Sequence, residues 1–287
     1  MGIIRVLVVD DSPFSRTLLA DSLQENSCEV VGEAGSLEGL IETYQTCRPD
    51  IVTMDIAMPG ADGFECSKAL LRHDPAAKII LVSSMKDEEM EVEARRTGVA
   101  GYVQKPIDNE ALMNVIKNVM APDLAFQNLV EWSGEIFSEA LSQSFARMTK
   151  LTAAASNQPA GKNHLVSRGI TVVIGIIGKY PGTMILDLTA GTAEKMAEVI
   201  LRRQAKERGE IVAMVAEFAN VVGGVACSML NKKEKSFGLR VAPPSVSCGE
   251  SIEIISPSIE SRNISANTDL GTILLCVGFK KGSVLWM

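Results

Sequence analysis

Histidine is nearly absent: the 287 residues contain two, His73 and His164. Both stand in polar contexts (RHDP and GKNHL) away from any candidate nucleophile. They read as surface-loop residues, and Ser/His/Asp, Cys/His and HExxH chemistries have almost nothing to work with. The six cysteines (Cys28, Cys47, Cys66, Cys227, Cys248 and Cys276) show no CxxC spacing. In a reducing compartment they read as buried thiols rather than disulfides or a zinc site. Basic residues are outnumbered, 28 against 35 acidic, for a net charge of −7. That balance leaves no excess of Lys and Arg to displace counterions, and no basic recognition helix follows residue 121, so nucleic acid is not an expected partner. Long apolar runs are missing too: Ile170 to Gly178 falls far short of the ~20 residues of a spanning helix. Asp10 and Asp11 stand where the apolar stretch of a secretory signal would lie. The expectation is a cytoplasmic protein with no membrane insertion.

What is present is ample for folding: 46% hydrophobic and 22% charged residues, with a length that suggests two domains. Up to about residue 120, short apolar runs (Val6 to Val9, Ile51 to Met54, Ile79 to Val82, Gly101 to Val103) alternate with helical stretches. That rhythm predicts an α/β domain of βα units on a doubly wound parallel sheet over residues 1–121. A break at APDLA gives a short linker, 122–125, and a second domain follows over 126–287. It opens with a helix from Phe126 to about Lys150. Residues 152–169 read as a loop, 170–177 and 183–188 as a hairpin around Lys179-Tyr180-Pro181-Gly182, then come helices at about 191–205 and 207–231 and further strands near 252–255 and 273–279. This second domain is α+β rather than a βα repeat.

A parallel sheet gathers the residues that end its strands along one edge. Here those are Asp10 and Asp11 after the first strand, Asp55 after the third, Ser83 after the fourth and Lys105 after the fifth. Three carboxylates so close repel and favour protonation unless a cation neutralises them, and a hard, oxygen-preferring Mg²⁺ is the natural occupant. A carboxylate beside Mg²⁺ can attack a phosphoryl group while the metal and a lysine ammonium take up charge on its oxygens. Asp55 is placed as the acceptor. Taken singly, each residue has a plainer use: Asp10 and Asp11 as caps of a helix starting at Ser12, Asp55 as a turn residue, Lys105 as a solvated charge.

Together, VLVVDDSPFSR (6–16), VTMDIAMPGADGFE (52–65), IILVSS (79–84) and GYVQKP (101–106) resemble the receiver domain of two-component response regulators over its whole length, which implies a five-stranded parallel sheet of flavodoxin-like form. The resemblance implies that Asp11, Asp55 and the carbonyl of Ala57 bind Mg²⁺, with Asp10 acting through water. It further implies that Asp55 takes phosphate from a histidine kinase, that Lys105 grips it, and that Ser83 and Tyr102 are the switch hydroxyl and aromatic. The ring would follow the hydroxyl inward and alter the surface near Asp87 to Thr97. Ala57 and Met85, both apolar, match positions that flank the attacking water, which implies slow spontaneous loss of the phosphoryl group.

The second candidate lies on the helix Ile211 to Leu230. At 100° per residue, Ile211, Val215, Phe218, Val222, Val225 and Met229 form an apolar stripe, the expected core face. Ala213, Glu217, Asn220, Gly224 and Cys227 lie opposite, a face with two polar side chains three residues apart among small neighbours. Such a face suits docking, although Asn220 inside a packed helix pair would serve as well. GTMILDLTAGTAEKMAEVIL (182–201), AEFANVVGGVACSML (216–230), APPSVSCGESIEI (242–254) and GTILLCVGF (271–279) resemble the CheC/CheX family of chemotaxis phosphatases. The resemblance spans nearly all of 126–287. It implies hydrolysis of the aspartyl-phosphate of a CheY-type receiver, with the family's E-x-x-N motif on Glu217 and Asn220. Asn220 would orient water in the partner's acid pocket, and Glu217 would pair with the partner's equivalent of Lys105. Ala213 stands where the family often has Asp or Ser. The first helix offers no second E-x-x-N, since three residues after Glu135, at the place of the Asn, stands Ser138. That pattern implies the single-site CheX type, a homodimer. The alternative is a domain that keeps the fold for phosphorylation-controlled dimerisation without catalysis.

An extended tether from Ala121 to Ala125 reaches ~17 Å, against ~30–35 Å across a domain of ~120 residues. A helix at about 108–119 must run antiparallel to the fifth strand, so the chain leaves the receiver at the edge opposite the acid pocket. The expected target of Asn220 is therefore a separate receiver rather than Asp55 of the same chain, with Asp55 of the other chain in a homodimer as the alternative.

Overall fold

The runs that are apolar throughout form the strands of the first sheet. The computed structural model describes residues 3–26, 28–84, 88–158, 164–255 and 260–281, and divides into two units, Met1–Pro122 and Asp123–Met287. In the first unit β1 (Ile4–Val9), β2 (Cys28–Ala34), β3 (Ile51–Asp55), β4 (Ile79–Ser83) and β5 (Gly101–Gln104) form one sheet in the order β2-β1-β3-β4-β5. Every pairing is parallel; Val6 faces Ile51, Val52 faces Ile79 and Ile80 faces Gly101. All five residues of β3 and of β4 are buried, as in strands covered on both faces by helices.

The intervening helices are α1 (Pro13–Glu25), α2 (Leu40–Cys47), α3 (Gly63–His73) and α4 (Glu88–Thr97). Ser12 caps α1 by accepting from Ser15 N, and Pro13 sits at its first position, where a missing N–H costs nothing. Asp62 caps α3 in the same way, accepting from Glu65 N at 2.8 Å. Because each strand leads into a helix through a short loop, the ends of β1, β3, β4 and β5 share one edge, as expected from the sequence.

The expected linker at 122–125 is not a break: those residues are helical, within α5 (Asn109–Thr149), which contains Pro122. Proline removes one N–H donor, yet the helical spacing of apolar residues persists on either side. Leu112, Ile116 and Met120 are buried before it, and Leu129, Ile136, Phe137, Leu141 and Phe145 after it. The reach calculated for an extended tether therefore does not apply.

The second unit is α+β, with an antiparallel seven-stranded sheet in the order β10-β7-β8-β12-β11-β6 and a short β9 beside β7. Its strands are β6 (Ala153–Gln158), β7 (His164–Ile177), β8 (Gly182–Thr189), β9 (Arg240–Val241), β10 (Ser245–Ile255), β11 (Glu260–Thr268) and β12 (Gly271–Phe279). The stretch expected to be a loop, 152–169, thus contains β6 and the start of β7. β6 is a polar edge strand whose partner β11 lies over a hundred residues later, so nothing local announces it. The expected hairpin is β7–β8, paired from Gly169↔Thr189 to Ile176↔Gly182.

Helices α6 (Ala190–Leu201) and α7 (Arg208–Lys233) complete the unit. α7 is long and apolar enough, by length and composition, to cross a membrane. Its Val215, Phe218, Ala219, Val222, Ala226 and Leu230 are instead fully buried in this unit's core, with Phe145, Val172, Leu186 and Leu275. His73 and His164 are not loop residues; they end α3 and begin β7. Four of the six cysteines are buried as expected, whereas Cys47 is half-buried and Cys248 exposed.

Candidate functional site

β1 delivers Asp10 and Asp11 to the carboxyl edge of the first sheet, and the neighbouring β3 ends in Asp55. Carboxylate oxygens of these three residues lie within 4.8 Å of one another. Asp10 and Asp55 are 4% exposed, whereas Asp11 is exposed and stands at the mouth. Lys105, just past β5, places its Nζ 2.9 Å from Asp10 Oδ2 and 2.8 Å from Asp55 Oδ1. Burial works to lower the Lys105 pKa, but hydrogen bonds and charge from Asp55 and Asp10 outweigh it and hold the group above its ordinary value. One ammonium against three carboxylates leaves an oxygen-only, anionic donor set, which suits a hard divalent cation such as Mg²⁺.

The backbone holds the pocket in register. Asp10 N donates to Ala34 O, Ile56 N to Val82 O, and Lys105 N to Ser83 O at 2.6 Å. Ser83 is buried at the end of β4, opposite Gln104, and Tyr102 is half-buried against the first unit's core. Ala57, two residues past Asp55, is exposed. Met85 and Asp87 lie outside the described residues.

Three supporting residues went unassigned in the sequence. Ser12 N donates to Asp10 Oδ1 at 2.9 Å, so the helix cap at Ser12 also orients the first carboxylate; the aspartates do not cap α1 themselves. Arg16 donates from Nη1 to Asp10 O at 2.8 Å and pairs through Nε with Glu33 at 2.7 Å, pinning the turn from outside. Gly63 packs directly beneath Asp55, and a Cβ there would run into the Asp55 carbonyl oxygen and come within 2.8 Å of Ile56 Cα. Arg16 and Gly63 sit in the two quoted runs, but only coordinates show what they touch.

In the second unit α7 exposes Glu217, with Asn220 half-buried one turn on. Ala213 is exposed and Gly224 half-buried on the same side, as expected. Cys227 is not: it faces the core at 3% exposure, and burial pushes its thiol up to about 12. The buried stripe is also rotated from the expected one. Ala219, Gly223 and Ala226 face inward, while Ile211, Val225 and Met229 are only half-buried. The two glycines differ. A Cβ on Gly223 would stand 2.9 Å from Val241 Cγ1, so Gly223 permits close packing, whereas one on Gly224 would meet nothing within 4 Å.

Residues 6–117 match the family described as "Response regulator receiver domain", and residues 170–264 match "Chemotaxis phosphatase CheX". The chemotaxis protein CheY of Thermotoga maritima is 38% identical over 115 residues, 40% of this chain and 96% of that protein. Among solved structures, a chemotaxis protein CheX from Desulfovibrio desulfuricans aligns at 18% identity with a TM-score of 0.46, over 52% of this chain and 99% of that one. A chain of the CheX-CheY-BeF3-Mg²⁺ complex from Borrelia burgdorferi aligns at 27% identity with a TM-score of 0.39, over 41% of this chain and 89% of that one. With its acid pocket at the edge of a parallel five-stranded sheet, its CheY relative and its two family matches, the chain belongs to the response regulators, a CheY-like receiver domain followed by a CheX-family domain.

Proposed function

We propose that the receiver accepts phosphate on Asp55 from a histidine kinase, and that the CheX-like domain dephosphorylates the aspartyl-phosphate of CheY-type receivers through Glu217 and Asn220. The observation that carries the first half is the Lys105 ammonium held between Asp10 and Asp55 at 2.9 and 2.8 Å. In that position it pairs with a phosphoryl oxygen once Asp55 has attacked the phosphorus and the donor's leaving group has departed. Asp10, Asp11, Asp55 and the Ala57 carbonyl would hold Mg²⁺. Bound there, the ion supplies neutralising charge for carboxylates and phosphoryl oxygens that otherwise repel. Lys105 shares that role.

For the second half, Asn220 offers a carboxamide that donates and accepts, so it orients water in line with the P–O bond without adding charge near the phosphate. The water oxygen bonds to phosphorus as the bond to the aspartyl oxygen breaks, returning the carboxylate and inorganic phosphate. Glu217, exposed on the same face, is the partner for the target receiver's lysine. The family match to a chemotaxis phosphatase supports this reading, as does the open space over Gly224. Homodimerisation and a cytoplasmic location belong to the same proposal. The test is phosphate release from a phosphorylated CheY-type receiver, which Asn220→Ala should abolish while folding and self-association persist. Retained release by that variant would remove Asn220 from the mechanism, and no release above the spontaneous rate by the unsubstituted chain would leave the non-catalytic binding module.

A further inference from the structure

The two units differ in charge, and their helices decide where that charge lies. Residues 1–122 carry 11 Lys and Arg against 20 Asp and Glu, whereas residues 123–287 carry 17 against 15. A parallel sheet sends the N-terminus of each following helix to its carboxyl edge, where the helix dipole favours acids. In the receiver Asp62 caps α3 and Glu65 stands in its first turn; Asp108 accepts from Ala111 N at the start of α5, with Glu110 beside it. With Asp11 and Glu38 from the loops after β1 and β2, six exposed carboxylates surround the acid pocket. Among the described residues the cations on that edge are Arg16 and Lys105, both already paired with acids. The C-terminal ends of α2, α3 and α4 carry Arg48, Arg72, Arg95 and Arg96, so cations gather away from the pocket.

α7 shows the reverse pattern. Along its solvent side Ala213, Glu217, Asn220, Gly224, Ser228 and Lys232 follow one another at three- and four-residue steps. Gly224 and Ser228 keep the track between Asn220 and Lys232 low, and a Cβ on Gly224 would meet nothing within 4 Å. Lys232 forms no ion pair among the described residues, whereas its neighbour Lys233 lies over the Trp132 ring at 5.0 Å. At the other end the turn into α7 sets Arg203 and Lys206 around Glu210, and Arg203 lines the same hollow as Ala213 and Glu217. A lysine in the last turn of a helix complements its dipole, but cations at the first turn oppose it. Here Arg202, Arg203, Lys206 and Arg208 stand against Glu207 and Glu210, an excess that helix stability does not call for. From Glu210 to Lys232 is 22 residues of one helix, about 33 Å at 1.5 Å per residue, against ~30–35 Å across a receiver of ~120 residues. A receiver centred over Asn220, ten residues from one end and twelve from the other, therefore meets cations at both rims.

We propose that Lys232 at one end of α7, and the turn carrying Arg203 and Lys206 at the other, form a charged rim that pairs with the acidic pocket edge of the target receiver and orients it pocket-first onto Asn220. The partner is thus a phosphorylated receiver with acid-capped helices around its pocket, a class that includes the receiver of this chain. The catalytic consequence rests on the phosphatase reading. The rim residues are positioning residues and do not touch the phosphoryl group. Exposed charges act over about 8 Å at physiological salt, so their effect falls on association and KM, is screened by salt and leaves kcat alone.

The test uses full-length chains in two roles. The reader is the Asp55→Asn chain, which keeps Asn220. The target is the Asn220→Ala chain, loaded with beryllofluoride for binding or phosphorylated with acetyl phosphate and Mg²⁺ for release. At ~50 mM salt, Lys232→Met in the reader should weaken binding and raise KM about threefold, and Lys232→Glu about tenfold, with kcat unchanged. Both losses should shrink below about twofold at ~0.5 M salt. Lys233→Met removes the same charge one residue on, from the side turned to Trp132, and should change neither measurement. In the target, Glu65→Gln together with Glu110→Gln should weaken binding and lessen the further loss caused by Lys232→Glu. Equal effects of Lys232→Met and Lys233→Met, losses that salt does not reduce, or no binding to this acid-edged target would overturn the inference. Salt-sensitive binding through Lys232 without Asn220-dependent release would uphold the rim and remove the phosphatase reading. Asn220-dependent release that Lys232→Glu leaves unchanged would do the reverse.

Discussion

Gly63 at the start of α3 lies so closely against the backbone of Asp55, the proposed phosphoacceptor, that no Cβ fits between the strand end and the helix after it. Gly63 N donates to Ile56 O at 3.1 Å, tying the α3 cap to the residue after the acceptor. Any side chain at 63 must push Asp55 or α3 outward. Gly63→Ala should destabilise the receiver by about 1–3 kcal/mol through overpacking. Calorimetry reads this as a lowered receiver transition, and an unchanged transition would contradict the packing described.

Asp55→Asn should abolish phosphorylation by acetyl phosphate in the presence of Mg²⁺. Asp10 already serves Lys105 and Ser12 N, and Asp11 stands at the exposed mouth, so neither is placed to replace the nucleophile. Stoichiometric labelling of the variant would move the acceptor elsewhere.

Lys105 gives a pH-dependent signature. Its pKa is raised in the folded chain, so its contribution to stability is complete below the ordinary lysine value and is lost as pH rises through the folded one. Without Mg²⁺, Lys105→Met should cost about 1–3 kcal/mol at pH 7, because two buried carboxylates lose their counter-charge across a partly wet pocket. The gap to the unsubstituted chain should narrow as pH climbs past that of ordinary lysine. Denaturant titrations at neutral and strongly alkaline pH measure it; a gap constant with pH would show that Lys105 acts through packing alone.

Ala57 is exposed two positions past the proposed acceptor, and its side chain offers water no polar group. Spontaneous loss of the phosphoryl group should therefore be slow in the Asn220→Ala background, and Ala57→Asn should speed it severalfold. Radiolabel decay after desalting reads both rates, and equal rates would remove the side chain at 57 from control of hydrolysis.

The receiver's acid pocket was legible because β-strands buried on both faces are written as uninterrupted apolar runs, and each run stops at a polar residue that the sheet brings to one edge. Asp10, Asp55 and Lys105 could be assembled from strand ends alone. What could not be read was contact beneath the pocket: Gly63 and Arg16 look ordinary until the Asp55 and Asp10 carbonyls are seen beside them. In the second unit the motif pair was found on the correct side of α7, but its core face was misjudged. Hydropathy favours Val225 and Met229, whereas the sheet demands small residues, and Gly223 fits between Val241 and Met184 where a valine would not. β6 escaped because its stability comes from pairing with β11, remote in sequence. Pro122 misled in the other direction, since a proline is a boundary signal and here lies within α5.

The central claim, a phosphatase acting through Asn220, is tested most directly by the rate of phosphate release from phosphorylated receivers mixed with the Asp55→Asn chain. Two substrates are needed: the T. maritima CheY relative, and this chain's own receiver in the Asn220→Ala background. The account predicts release that rises in proportion to the added chain for at least one of them, and that falls at least a hundredfold when the added chain also carries Asn220→Ala. Equal release with and without Asn220, for both substrates, would contradict it.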